Sequence, residues 1–263
     1  MQKINNKITQ IKSISLYSES FGNPKDTACL LIAGAGASAR FWSDEFCEHI
    51  SQNGYFVIRY DHRDIGLSSA INYNNHPYTV FDLADDAKDI LKSYGIKQAH
   101  VVGHSMGGII VQILATHSPE VIKSFVSISV GINTNAIQPS KEVMDILMQN
   151  KPVGDFNTDL TGFMKSWAIL NGNVPMDQKL ATEYTNDLYT RTIHKVDVAW
   201  NHINSQKNIA TLIDKLPQNR IPGLFIHGDT DPLIARDDGL KNAEMTGNSR
   251  FEVVPGMGHM FFN

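Results

Sequence analysis

Residues 100–117, HVVGHSMGGIIVQILATH, constrain the fold of this chain more than any other stretch. An apolar strand runs into Gly103-His104-Ser105-Met106-Gly107 and passes, with no room for a loop, straight into a helix. Turning from strand to helix in so few residues forces Ser105, at the tip, into a strained backbone conformation. Small residues two places before and after it let neighbouring segments come close. The turn lifts the serine hydroxyl clear of the sheet and puts the Met106 N–H at a helix start, where it can meet a developing negative charge. The pentapeptide by itself is common. Its strand–turn–helix setting makes it specific, and marks Ser105 as a candidate nucleophile and Met106 as a candidate oxyanion donor.

A serine hydroxyl is a weak nucleophile at neutral pH and needs an adjacent base, which in turn needs orienting. Of the ten histidines, His259 stands in Pro255-Gly256-Met257-Gly258-His259, a turn just past the last apolar run. That places it at the carboxyl edge of the sheet, where open α/β folds bind ligands. His104 is next to Ser105, but adjacent residues on such an elbow point apart, so its expected part is to shape the turn. The acid is expected on a loop after another strand, and LFIHGDTDPLIA (residues 224–235) supplies it. Asp231, three residues beyond Gly228, is far enough along the loop to face a histidine. Asp229 is the alternative, with turn formation as its other role. The strand end at 127–130 carries no carboxylate. The second oxyanion donor is expected from Ala33-Gly34-Ala35-Gly36-Ala37-Ser38, small residues throughout, with the Ala35 N–H as the candidate.

The surrounding pattern alternates strand and helix. Residues 7–20 alternate apolar and polar as a hairpin does. Runs at 28–33, 55–60, 100–103 and 125–130 suit strands buried on both faces. Helical spacing appears over 41–52 and 80–94, followed by Asn53-Gly54 and Gly95 where C-terminal caps belong. This predicts a mostly parallel sheet flanked by helices. Between 131 and about 216 only helical patches occur (141–149, 177–191, 197–209), and strands resume at 223–227 and 251–254. The expected organisation is a core domain of residues 1–130 and 217–263 with a helical cap, 131–216, inserted in it. A net charge of −4 without a dense basic run argues against nucleic-acid and membrane partners. The polar N-terminus and the lack of any run of about 20 apolar residues make a cytoplasmic location the expectation. The two cysteines, Cys29 and Cys47, are expected to be free thiols, and no metal or other cofactor is implied.

The GHSMG elbow, the GDTDP acid loop and the GMGH histidine, in the order Ser, Asp, His, resemble the α/β-hydrolase superfamily over essentially the whole chain. WSDEF (42–46), YDHRDIGLS (60–68) and HPYTVFDLADDA (76–87) look especially like the aclacinomycin methylesterase branch. The resemblance implies a serine hydrolase of carboxylic esters with a helical cap, its site made by Ser105, Asp231 and His259 with Ala35 and Met106. Asp61, Arg63 and Gly66 then read as a charged structural loop near the site. Two departures stand out. Many relatives open the oxyanion loop with His-Gly, whereas this chain has Ala33-Gly34, which keeps the backbone donor and loses any contact of that histidine. Relatives also carry a helix after the catalytic histidine; here the sequence ends at Asn263, so the sheet face under such a helix is expected either to be hidden by a partner chain or to leave the chain less stable.

The substrate is less sharply drawn. Met144, Met164 and Trp167 are the candidate substrate-binding residues in the cap. With Met148, Met176 and Trp200 they suit either an apolar ester pocket or plain packing of cap helices. Three functions fit these residues: a carboxylesterase, a hydrolase of carbon–carbon bonds in meta-cleavage products using the same triad, and a ligand-binding receptor on this fold.

Overall fold

Strands buried on both faces need strand neighbours on either side and helices above and below. In the computed structural model the apolar runs accordingly become the inner strands of one eight-stranded sheet. The structure describes residues 5–132, 137–150, 154–192, 198–207 and 209–262. The strands are β1 (Asn5–Ile11), β2 (Ile14–Phe21), β3 (Thr27–Ile32), β4 (Tyr55–Tyr60), β5 (Ala99–His104), β6 (Ile122–Ile128), β7 (Gly223–Gly228) and β8 (Ser249–Val254). They lie in the order β1-β2-β4-β3-β5-β6-β7-β8, with β1 and β2 antiparallel to their neighbours and all others parallel. The doubly wound order sends the chain ends of β3, β5, β7 and β8 to a common edge, the edge where such folds place their chemistry.

The helices that cover the sheet are α1 (Asp44–Gln52), α2 (Val80–Ser93), α3 (Met106–His117) and α9 (Arg236–Met245). Between β6 and β7 come α4 (Lys141–Gln149), α5 (Phe156–Leu170), α6 (Gln178–Arg191), α7 (Val198–Ser205) and α8 (Ala210–Lys215). Of these, α5 and α8 were not evident in the sequence, where the last expected helical patch ended at 209. Residues 133–136, 151–153, 193–197 and 208 of the stretch assigned to the cap lie outside the described residues. The helix expected over 41–52 begins later, at Asp44, because the Ser43 side chain accepts the Phe46 N–H and so caps it; residues Ala39–Phe41 form a separate 3-10 turn. Thr79 and Asp82 make a reciprocal capping box at the start of α2.

One sheet face is packed against α2 and α3: Leu83, Ala87, Ile90, Ile110 and Leu114 lie on Leu30, Ile58, Val101, Phe125 and Phe225. Each buried Leu, Ile, Val or Phe among them contributes about 1.5–3 kcal/mol relative to leaving it exposed. Leu212 of α8 joins the same cluster, which places the last helix before β7 beside α3. On the other face α1 covers β4 and β2. Beyond it the cross-strand row Val102, Val126, Leu224 and Arg250 is half-buried to exposed. A fully buried Arg59 in β4 pairs with Glu19 of β2 and Asp44 of α1 and donates to the Trp42 carbonyl. Burial by itself would raise the Glu19 carboxyl, but Arg59 and Arg40 outweigh it and hold it ionised below its ordinary value.

Candidate active site

The elbow is as tight as its glycines suggest. Ser105 sits at φ 53°, ψ −122°, a sparsely populated region that costs a non-glycine residue about 1–3 kcal/mol. The surroundings over-determine it. The Ser105 N–H donates to the Ile128 carbonyl at 2.9 Å. A Cβ on Gly103 would stand 2.0 Å from the Gly107 carbonyl oxygen, and one on Gly107 would stand 2.2 Å from that of Ile32. No side chain fits at either place, so the two glycines let strand, helix and β3 close on one another and hold the serine at the tip.

The loops after β7 and β8 bring the other two candidates to this tip. His259 Nε2 lies 3.1 Å from Ser105 Oγ, and His259 Nδ1 lies 2.9 Å from Asp231 Oδ2. The Asp231 side chain is fully buried. Its Oδ1 accepts the Leu233 and Ile234 N–H groups at 2.8 and 2.9 Å, and its Oδ2 also faces His227 Nε2 at 3.4 Å. Burial would raise this carboxyl, but His259, His227 and the Ile234 N–H outweigh it and hold it well below the usual carboxylate range. An ionised Asp231 can only accept, so His259 Nδ1 carries the proton between them and Nε2 is left to accept from Ser105. Asp229 is engaged elsewhere: its carboxylate accepts the Gly256 N–H at 2.6 Å in the turn that precedes His259.

His104 does more than shape the elbow. Its Nε2–H donates to the backbone carbonyl of His259 at 2.8 Å, and its ring stacks on Phe41 with centroids 4.6 Å apart. Burial, with His259 close by, lowers it to about 3, so it stays neutral. His227 and His104 thus brace the acid and the base from below. His227 had a signal in the sequence, a polar ring at the end of an apolar strand four residues before Asp231. The partner of His104 is 155 residues away, and nothing local announces it.

Ala35 lies in a turn closed by the Ala37 N–H on the Gly34 carbonyl, at 3.3 Å. Among the described residues the Ala35 and Met106 N–H groups have no acceptor. Ala39, at the far end of this loop, donates its N–H to Asp61 Oδ1 at 2.8 Å. Asp61 also accepts from the Leu67 N–H and pairs with Arg191 of α6, both at 3.0 Å. Arg63 makes a two-point pair with Asp86 of α2. Asp61 and Arg63 therefore act on loops and helices and not on Ser105, Asp231 or His259.

Of the candidate pocket residues, Met164 and Trp167 of α5 pack on the cluster that holds Phe41, Leu170, Tyr184 and Phe262. The Trp167 Nε1–H is bound to Thr185 Oγ1 at 2.9 Å. Met144 lies on α4 and is 40% exposed. The described residues include no group of three or more His, Cys, Asp or Glu side chains arranged to hold a metal ion. No described helix is long and apolar enough to cross a membrane.

Residues 28–262 match the family described as alpha/beta hydrolase fold. The chain is 38% identical to the rhodomycin D methylesterase DauP of a Streptomyces species, over 94% of this chain and 89% of that protein. It is 36% identical to the corresponding enzyme DnrP of Streptomyces peucetius over 62% of each. Among solved structures, the 2-hydroxy-6-oxo-6-phenylhexa-2,4-dienoate hydrolase of a Rhodococcus species superposes with a TM-score of 0.78. The alignment spans 99% of this chain and 93% of that one, at 19% identity, a likeness of fold alone. With the elbow, the sheet order and these matches together, the chain belongs to the α/β-hydrolase fold family.

Proposed function

We propose that this protein is a serine hydrolase that cleaves a carboxylic ester of apolar character through an acyl-enzyme. The observation that carries the reading is the continuous chain Ser105 Oγ, His259 Nε2, His259 Nδ1, Asp231 Oδ2, with links of 3.1 and 2.9 Å. In it Ser105 Oγ attacks the ester carbonyl carbon while His259 Nε2 takes the hydroxyl proton. The tetrahedral oxyanion is met by the N–H groups of Ala35 and Met106, the latter at the positive end of α3. His259 returns the proton to the departing alkoxide, giving alcohol and acyl-Ser105. Water, deprotonated by the same nitrogen, then releases the acid and restores the serine. Asp231 stabilises the imidazolium at both proton transfers. The inserted helices α4–α7 form the cap over this site, with Met164 and Trp167 offering apolar surface to the substrate. The methylesterase relatives favour ester over carbon–carbon cleavage and suggest a small alcohol leaving group.

The test is a panel of methyl and p-nitrophenyl esters varied in acyl length, together with fluorophosphonate labelling and peptide mapping. Turnover with label on Ser105 is expected. Label on another serine, or preference for a vinylogous diketone over every ester, would overturn the reading.

A further inference from the structure

His202 of α7 lies 166 residues from the loop it touches, and its ring is held at both nitrogens. Nδ1 is 2.9 Å from the Gly36 backbone nitrogen, and Nε2 is 2.8 Å from the Arg63 carbonyl oxygen. The partners dictate the tautomer. An N–H can only donate and a carbonyl can only accept, so Nδ1 is the bare acceptor and Nε2 carries the hydrogen. His202 has no solvent exposure, and the ring lies against those of His62 and Tyr78. Burial lowers its proton affinity below that of an ordinary imidazole, which favours the neutral ring this pattern requires.

Gly36 follows Ala35 directly, and the two are the central residues of the turn closed from Ala37 N–H to Gly34 carbonyl. Gly36 has φ 69°, the left-handed value that distinguishes a type II turn from type I at this place. The two forms differ by rotation of the central peptide, here Ala35–Gly36, which reverses the Gly36 N–H. Within the loop the turn has one closing bond, at 3.3 Å. His202 supplies the shorter bond from outside, and it accepts only the type II orientation.

We propose that His202 is a positioning residue for ester hydrolysis: by accepting the Gly36 N–H it fixes the Ala35–Gly36 peptide and so anchors, at the residue after Ala35, the loop that presents the Ala35 N–H to the oxyanion. The inference rests on the esterase reading above. It makes the inserted segment a contributor to transition-state stabilisation and not only a cover over the substrate.

The experiment compares wild type, His202→Gln and His202→Asn for kcat and KM on one short-chain ester, and for inhibition by a phenylboronic acid, whose tetrahedral adduct on serine occupies the oxyanion site. The asparagine amide oxygen can stand near the Nδ1 position and take the Gly36 N–H, whereas glutamine places its amide near Nε2. His202→Gln is expected to lower kcat by about ten- to a hundredfold with KM changed by less than about threefold, the scale of a slightly misplaced catalytic group. Boronate affinity should fall in parallel, and His202→Asn should recover most of both. Equal losses in the two variants, a loss confined to KM, or wild-type kcat in a folded His202→Gln protein would overturn the positioning role. The 15N shifts of His202 in the wild-type protein test the tautomer without any substitution; a protonated Nδ1 would sink the proposal even if the glutamine variant failed to fold. Absence of ester turnover in wild type, with Ser105 unlabelled, would instead sink the esterase reading itself.

Discussion

Two regions of the molecule converge on Ser105 by different routes. The carboxyl-end loops of β5, β7 and β8 deliver Ser105, Asp231 and His259, each within a few residues of its strand, so that sheet register places them. The inserted segment reaches the same neighbourhood in two ways. One is by single side chains of α6 and α7, Arg191 to Asp61 and His202 to Gly36. The other is by backbone bonds between the α5–α6 connection and the His259 loop, with the Met260 N–H on the Leu170 carbonyl at 2.8 Å and the Asn173 and Val174 N–H groups on the Gly256 carbonyl at 3.0 and 3.1 Å. Backbone pairing resists change at any one residue, whereas a side-chain contact is lost with one substitution. The strand-end loops carry Ser105, Asp231 and His259 themselves, while the insertion braces the loops around them, the His259 loop by backbone bonds and the Ala35 loop by side chains.

If that division is right, the largest effect belongs to the elbow. Ser105→Ala is expected to cut kcat by about 10⁴-fold or more with an unchanged melting temperature, because the Cβ and its backbone remain while the attacking oxygen is gone. A residual rate near that of wild type would place the nucleophile elsewhere. Next comes the choice between neighbouring carboxylates. Asp231→Asn should lower kcat/KM by about 10³- to 10⁴-fold, since an amide neither fixes the His259 tautomer nor stabilises its cation. Asp229→Asn, which alters only the turn contact to Gly256, should stay within about tenfold of wild type. Equal losses would undo the separation seen between the two aspartates.

The comparison sharpens at the oxyanion loop, which belongs to the core but is held partly by the insertion. Ala35→Pro removes the backbone donor and should lower kcat by about a hundredfold, while Ala35→Gly keeps it and should be mild. Circular dichroism must show both variants folded, and near-normal kcat in a folded proline variant would mean that the donor lies elsewhere. The smallest catalytic effect is expected from Arg191→Met. It leaves Asp61, buried and still bound to the Ala39 and Leu67 N–H groups, without its cation. Removing one partner of so buried a pair should cost about 3 kcal/mol, measured by urea unfolding, with kcat falling less than for Ala35→Pro. A stable Arg191→Met protein with a collapsed kcat would show that the insertion bears on the chemistry more directly than the contacts suggest.

Much of this was legible without coordinates. The elbow announced itself because a strand, a five-residue turn and a helix leave few backbone solutions, and because Gly103 and Gly107 have no room for a Cβ. His259 and the choice between Asp231 and Asp229 followed from their places at strand ends, which a parallel sheet brings to one edge. Helix α2 was plain from periodicity and its C-terminal glycine, and α4 coincides with the helical patch at 141–149, while α1 started later than expected because Ser43 captures the Phe46 N–H. In the inserted segment α5 carries little apolar periodicity, because its buried positions are Asp159, Gly162 and Ser166 with Leu170 as the one apolar side chain among them. The apolar candidates there divided: Met164 and Trp167 face a buried cluster, whereas Met144 sits in a largely open position.

By itself the sequence determined the fold class and the order Ser105, Asp231, His259, because each is encoded within a dozen residues of chain and the backbone enforces it. Only the tertiary structure decided which groups stand behind them. His227 under Asp231, His104 on the carbonyl of His259, Arg191 on Asp61 and His202 on the Gly36 N–H are contacts of one side chain with one distant atom. No periodicity, cap or turn residue encodes such a pairing. It exists only once packing has brought loops as much as 166 residues apart within hydrogen-bond reach and excluded the water that would otherwise take its place.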